Sequence, residues 1–179
     1  MLVHRYDLPE RFVAGTVGEP GQRTFFLQAR GRGRMTSVVL EKQQVAVLAE
    51  RVDALLDEVL RRSGGDVSVP AVTPPELQDT APLDTPIEEE FRVGTMTLAW
   101  DEDDSAVVVE AFALTADEEE EAEEALEVHM TPEMTRSFAS RARQVISAGR
   151  PPCQFCGQPL NPEGHLCPRS NGYKRITRA

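Results

Sequence analysis

The chain has 179 residues, 40% of them apolar and 27% charged, which suits one generous domain or a domain with a small appendage and excludes wholesale disorder. Its 30 acids against 19 bases give a net charge of −11, which excludes a protein that coats nucleic acid or an anionic membrane along its whole surface. Three cysteines fall between positions 153 and 167, and an odd number so close together excludes a full disulfide framework and points to a reducing compartment.

The opening MLVHRYDLPERF lacks the apolar core of a signal peptide, and no stretch approaches the roughly 20 apolar residues that cross a bilayer. A cytoplasmic protein with no membrane contact is expected. Residues 12–17 and 25–29 are β-rich runs separated by Gly18-Glu19-Pro20-Gly21, a hairpin signature, and residues 35–40 supply a third strand after Gly31-Arg32-Gly33-Arg34. From Gln43 the period becomes helical, with Val45, Leu48, Val52, Leu55, Leu56 and Val59 on one face, until Ser63-Gly64-Gly65 stops it. Pro70, Pro74, Pro75, Pro82 and Pro86 then rule out regular structure and predict an extended, mobile linker.

Strand patterns return at 91–100, 106–114 and 126–130, with the acidic turn Asp101-Glu102-Asp103-Asp104 after the first of them. A helix follows from Thr131, with Pro132 at its first position, to about Ala148; its apolar face is Met134, Phe138, Ala142, Val145 and Ile146. The succession repeats, and Leu48, Val52 and Leu55 meet Phe138, Ala142 and Val145 at an offset of ninety. The expected fold class is therefore α+β. Two similar βββα halves, residues 1–65 and 89–149, joined by the linker 66–88, form a two-layer sheet/helix domain, and a small zinc-ribbon-like module occupies 150–179. The run Asp117 to Glu124 is expected as a solvated loop insertion of the second half.

The chemistry concentrates after position 150. CQFCGQPLNPEGHLCP is Cys-x2-Cys-Gly, eight residues, then His-x-Cys. Two cysteines two residues apart wrap one turn so that both thiolates face one metal, and Gly157 relieves the left-handed backbone this needs. Pro159, Asn161, Pro162 and Gly164 are turn formers that return the chain, so Cys153, Cys156, His165 and Cys167 are expected to close a Cys3His tetrahedron. Soft thiolates with imidazole suit Zn2+, and four protein ligands make the zinc structural. His4 and His129 stand alone and are expected to be ordinary histidines. Arg30, Arg32 and Arg34 are expected on a surface hairpin, since GRGR lacks the strand-loop-helix context of a nucleotide site.

Beyond the cysteines the charge reverses: from Arg150 onward five bases face one acid, a net of +4 that leaves −15 for residues 1–149. Arg169, Tyr173, Lys174 and Arg175 form a possible partner-binding set, a mixture of base and aromatic that also contacts phosphate and stacks on bases.

GRPPCQFCGQPLNPEGHLCPRSNGY, with the preceding MTPEMTRSFASRARQVISAG and the N-terminal LPERFVAGTVGEPGQRTFFLQAR, resembles an uncharacterised, mainly actinobacterial family of conserved hypothetical proteins. The resemblance covers essentially the whole chain apart from the linker and the acidic loop. It implies a cytosolic bacterial protein and brings no reaction and no catalytic residue. Genes of such proteins tend to lie near a histidine-phosphatase-like and a kinase-like gene, which hints at a partner.

The chain carries no nucleophile–base motif, phosphate loop or paired carboxylates on a structured element. The expected function is thus a zinc-binding, non-enzymatic binding or adaptor protein with an unknown protein partner. Nucleic-acid binding through the zinc module and basic tail is the first alternative, and a zinc- or thiol-dependent enzyme the second.

Overall fold

The computed structural model describes residues 1–117, 120–160 and 164–169. Seven strands form one mixed sheet: β1 (Leu2–Asp7), β2 (Arg11–Val17), β3 (Thr24–Gly31), β4 (Arg34–Leu40), β5 (Glu89–Asp101), β6 (Ala106–Ala113) and β7 (Glu124–Met130). Two helices accompany them, α1 (Lys42–Ser63) and α2 (Pro132–Ser147). The spatial order is β1-β7-β6-β5-β4-β3-β2. Strands β2 to β4 and β5 to β7 are antiparallel meanders, while β4 pairs with β5, and β1 with β7, in parallel.

The helices form where their period and caps place them. α1 buries Val45, Leu48, Ala49, Val52, Leu56 and Val59 and ends at Gly64 in the left-handed region, φ 61°. α2 starts on Thr131, whose side chain accepts from the Met134 amide, with Pro132 in the first turn. Leu55, Met134, Val145 and Ile146 are only partly buried at the edge of that packing.

Strand β1 was not expected from the sequence, and it makes the sheet seven strands instead of two sets of three. It also forces the sheet to curl. In a flat sheet β1 and β2 would lie six spacings, roughly 29 Å, apart. They are joined only by residues 8–10, a reach of at most about 14 Å. The rolled sheet therefore brings side chains together across its concave face: Tyr6 Oη lies 2.8 Å from Thr36 Oγ1 on β4, and the His4 and Phe91 rings lie 6.3 Å apart. The main core fills this concavity. It joins Tyr6, Phe12, Leu27, Val38, Val109, Leu126 and Val128 to Leu48, Val52, Phe138 and Ala142 of the helices, with the Phe12 and Phe138 rings stacked at 4.7 Å.

Residues 66–88 contain no strand or α-helix, only a single 3-10 turn at Pro75–Leu77, but they are pinned. Thr73 Oγ1 donates to Arg136 O at 3.1 Å, and the Arg136 Nε donates to Pro70 O at 3.1 Å. The segment then crosses to the convex face of the sheet, where Leu83 and Ile87 cover Val13, Phe26 and Val39. Buried Gln28 acts there as a substitute strand: its Nε2 donates to Asp84 O at 3.0 Å and its Oε1 accepts from the Asp84 amide at 2.8 Å. Prolines remove ladder donors, and a side-chain amide supplies the pairing instead.

Leu83 sits directly over Gly15, where an added methyl would lie 2.5 Å from its Cγ and Cδ2. Gly15→Val is expected to lift this segment and cost about 2 kcal/mol through overpacking, read as a lower urea midpoint and faster proteolysis near residue 83.

Candidate metal centre

Residues 151–160 fold into a tight hairpin. Pro152 and Pro159 form an isolated antiparallel bridge, the Cys153 amide donates to Gln158 O at 2.7 Å, and the Leu160 amide donates to Pro151 O at 2.8 Å. Within it the Gly157 amide donates to Cys153 O at 2.8 Å, and Gly157 takes φ +73°, the left-handed conformation expected of it. The Phe155 amide points at Cys153 Sγ from 3.4 Å, a contact that favours a thiolate.

The second pair of side chains comes back beside the first. Cys153 Sγ and Cys167 Sγ are 3.8 Å apart, and Cys156 Sγ lies 3.1 Å from His165 Nε2. One ligand atom from each of Cys153, Cys156, His165 and Cys167 lies within 4.8 Å of every other. Metal–sulfur bonds of about 2.3 Å at tetrahedral angles set two sulfurs about 3.8 Å apart. A disulfide needs about 2.05 Å. The cluster thus has the dimensions of a metal site, with Cys153 and Cys167 buried and the other two half-buried.

The electrostatics point the same way. A hydrogen bond from the Gln158 backbone holds the Cys156 thiol down, but lost hydration and the neighbouring Cys167 and Cys153 thiols outweigh it and raise Cys156 above an ordinary cysteine. Crowded thiols resist joint ionisation, a resistance that a dication removes. His165 Nδ1 is buried with no partner among the described residues, while Nε2 faces Cys156 Sγ within the cluster.

Of the possible partner-binding residues, Arg169 is exposed and its Nη1 donates to Phe155 O at 3.3 Å, folding the chain back over the first cysteine turn. Tyr173, Lys174 and Arg175 lie outside the described residues. Sequence reasoning passed over Phe155 and Leu166, which are 62% and 84% exposed. Their signal was an apolar residue between the ligands of each pair.

The remaining expectations resolve simply. Neither histidine stands alone as expected: His129 Nε2 pairs with Glu127 at 2.6 Å, and His4 Nε2 lies 3.0 Å from Glu124 in a group with Glu90 whose ligand atoms all lie within 4.8 Å of one another. Arg32 and Gly33 make the β3–β4 turn with φ of 51° and 70°. In the acidic turn after β5, Asp101 Oδ1 accepts from the Asp103 and Asp104 amides, which closes a hairpin. Residues 118–119 of the acidic run are outside the described residues. Among the described residues no helix is long and apolar enough to cross a membrane.

An α+β protein with one curled seven-stranded sheet, two helices and a C-terminal Cys3His cluster compatible with a metal ion is the class these features define. The chain belongs to the family described as "Protein of unknown function (DUF3090)", whose model matches residues 4–167. Searches of curated proteins and of solved structures found no match.

Proposed function

We propose that this is a cytoplasmic zinc-binding protein in which Cys153, Cys156, His165 and Cys167 saturate one structural Zn2+, and that it works as a non-enzymatic adaptor. The observation that carries the zinc reading is the 3.8 Å separation of Cys153 Sγ and Cys167 Sγ, the edge of a zinc–thiolate tetrahedron. Three soft thiolates and an imidazole select zinc over magnesium or calcium. Four protein ligands leave no position for water or substrate, which supports a structural role over a zinc- or thiol-dependent enzyme.

Replacing the metal with Co2+ is expected to give the intense visible absorption of tetrahedral cobalt together with thiolate charge-transfer bands. Weak octahedral bands would overturn the closed site.

The adaptor reading rests on Phe155 and Leu166, apolar side chains presented on a small rigid support. Affinity purification at native levels is expected to recover a protein that is lost from the Phe155→Ser/Leu166→Ser variant. Recovery of no partner contradicts the adaptor role. Exposed Phe155 with Arg169 beside it supports the second reading, stacking on single-stranded nucleic acid. Absent or salt-independent binding to RNA and DNA rules that out.

The same order of antiparallel meander and helix on each side of residues 66–88 supports relating the two halves by duplication. The likeness extends to β1, which lies parallel to β7 as β5 lies parallel to β4.

A further inference from the structure

The β2–β3 turn, the start of α1 and the end of α2 enclose a cavity of about 440 Å³, with Pro159 of the cysteine-bearing hairpin on its rim. Arg23, Lys42 and Arg150 line it, and among the described residues no acid does. In a chain with 30 acids and 19 bases this is the reverse of the average surface.

The fold brings two of these cations together without neutralising them. A methyl added at Gly149 would lie 3.3 Å from Arg23 Nη2 and 3.7 Å from Lys42 Nζ, so the two nitrogens are no more than 7 Å apart. Arg23 donates to Val145 O at 3.3 Å and lies over the Phe25 ring, 5.3 Å from its centroid; neither contact is with an anion. Lys42 has no hydrogen bond or ion pair among the described residues. The adjacent acid, Glu41, pairs with Arg92 at 3.0 Å and does not line the cavity. Lys42 is also the first residue of a 22-residue helix whose N-terminus is capped by the Glu41 side chain, so the field in the cavity comes from the side-chain cations.

Convergent positive charge in a concave site is what an anion stabilises. At least two cations call for a dianion, and guanidinium geometry matches phosphate oxygens. The cavity falls within the 300–1,000 Å³ typical of small-molecule sites and exceeds a lone phosphate. Phe25 and Ile146 offer the remainder of the ligand an apolar wall. We propose that this cavity binds the phosphoryl end of a small phosphate ester or diphosphate.

Titration calorimetry on the full-length protein with pyrophosphate and with ADP tests it. Both are expected to bind saturably. Lys42→Gln, which removes charge from a side chain with no hydrogen bond or ion pair among the described residues, is expected to weaken both at least tenfold. Gly149→Val, at a position without left-handed backbone, is expected to abolish binding by filling the space between the two cations. Tighter binding of ADP than of pyrophosphate would place its base on the Phe25 wall, and equal binding would assign recognition to the phosphoryl groups alone; either supports the site. Absence of saturable binding by both probes, or binding unchanged in Lys42→Gln while circular dichroism shows the variant folded, overturns it.

Discussion

Chelation of the metal, or replacement of Cys153 or Cys167 by serine, is expected to unfold residues 150–169 while the sheet and helices stay folded. Among the described residues the main core draws none from beyond Ile146, so the body does not depend on the cysteine hairpin for its packing. The hairpin has no such reserve. Its backbone contacts are one bridge and a few turn hydrogen bonds, and a segment this small cannot offset its own ordering entropy. Structural zinc contributes on the order of 10 kcal/mol to such modules. Hydrogen exchange is the direct readout: the Cys153, Gly157 and Leu160 amides lose protection, and amides of β3 and β6 keep theirs. Simultaneous loss of protection in both regions would show that the metal holds the whole fold.

Arg141→Met is expected to cost the body about 3 kcal/mol, because truncating one partner of a buried charged network strands the others. Arg141 is 7% exposed; its Nε donates to Ala14 O at 2.8 Å, and its Nη1 donates to Asp79 O at 2.8 Å and to Asp79 Oδ1 at 2.9 Å. Asp79 also receives Arg11 Nε at 2.6 Å and Nη2 at 3.0 Å, so two arginines from β2 and α2 clasp the proline-rich segment through one carboxylate. Hydrogen bonding from Arg11, aided by the charges of Arg11 and Arg141, holds the Asp79 carboxyl below its usual range. A depressed folded-state value means that this contribution is complete above the unfolded value near 4 and is lost as pH falls through the folded one. Urea midpoints are expected to drop for Arg141→Met and Asp79→Asn at pH 7, and Asp79→Asn is expected to flatten the loss of stability on acidification. An unchanged acid profile in Asp79→Asn would contradict the assignment.

Much of the body was legible because its signals were local. Six strands appear where β-rich runs alternate with glycine, proline or aspartate turns, and both helices where apolar residues recur at three and four with Thr131-Pro132 and Gly64 at their ends. Strand β1 was hidden because only Tyr6 of LVHRYD is buried; its hydrogen bonds come from β7, some 120 residues away, a pairing that no local pattern encodes. Arg141 was hidden for the opposite reason. In sequence it is one more polar residue on an amphipathic helix, and only the distant Asp79 and Ala14 O make its burial tolerable. The prolines of residues 66–88 leave that segment without strand or α-helix, yet they said nothing of the 3-10 turn at Pro75–Leu77 or of Gln28, which supplies the missing pairing.

The grouping of the four ligands was legible from the Cys-x2-Cys turn and from the turn formers that return His165 and Cys167 beside it, whereas His-x-Cys departs by one residue from the second Cys-x2-Cys of an ordinary zinc ribbon. The cavity beside Gly149 was not legible, because Arg23, Lys42 and Arg150 come from three separate elements and acquire meaning only when the fold brings them together.

Native mass spectrometry of the intact protein, purified without added metal or chelator, tests the zinc assignment most directly. The account predicts a mass exceeding the chain by one zinc less the protons its thiolates release, which disappears in the Cys167→Ser variant. A metal-free chain whose residues 150–169 stay protected, or a mass lower by two hydrogens from a disulfide, would contradict it.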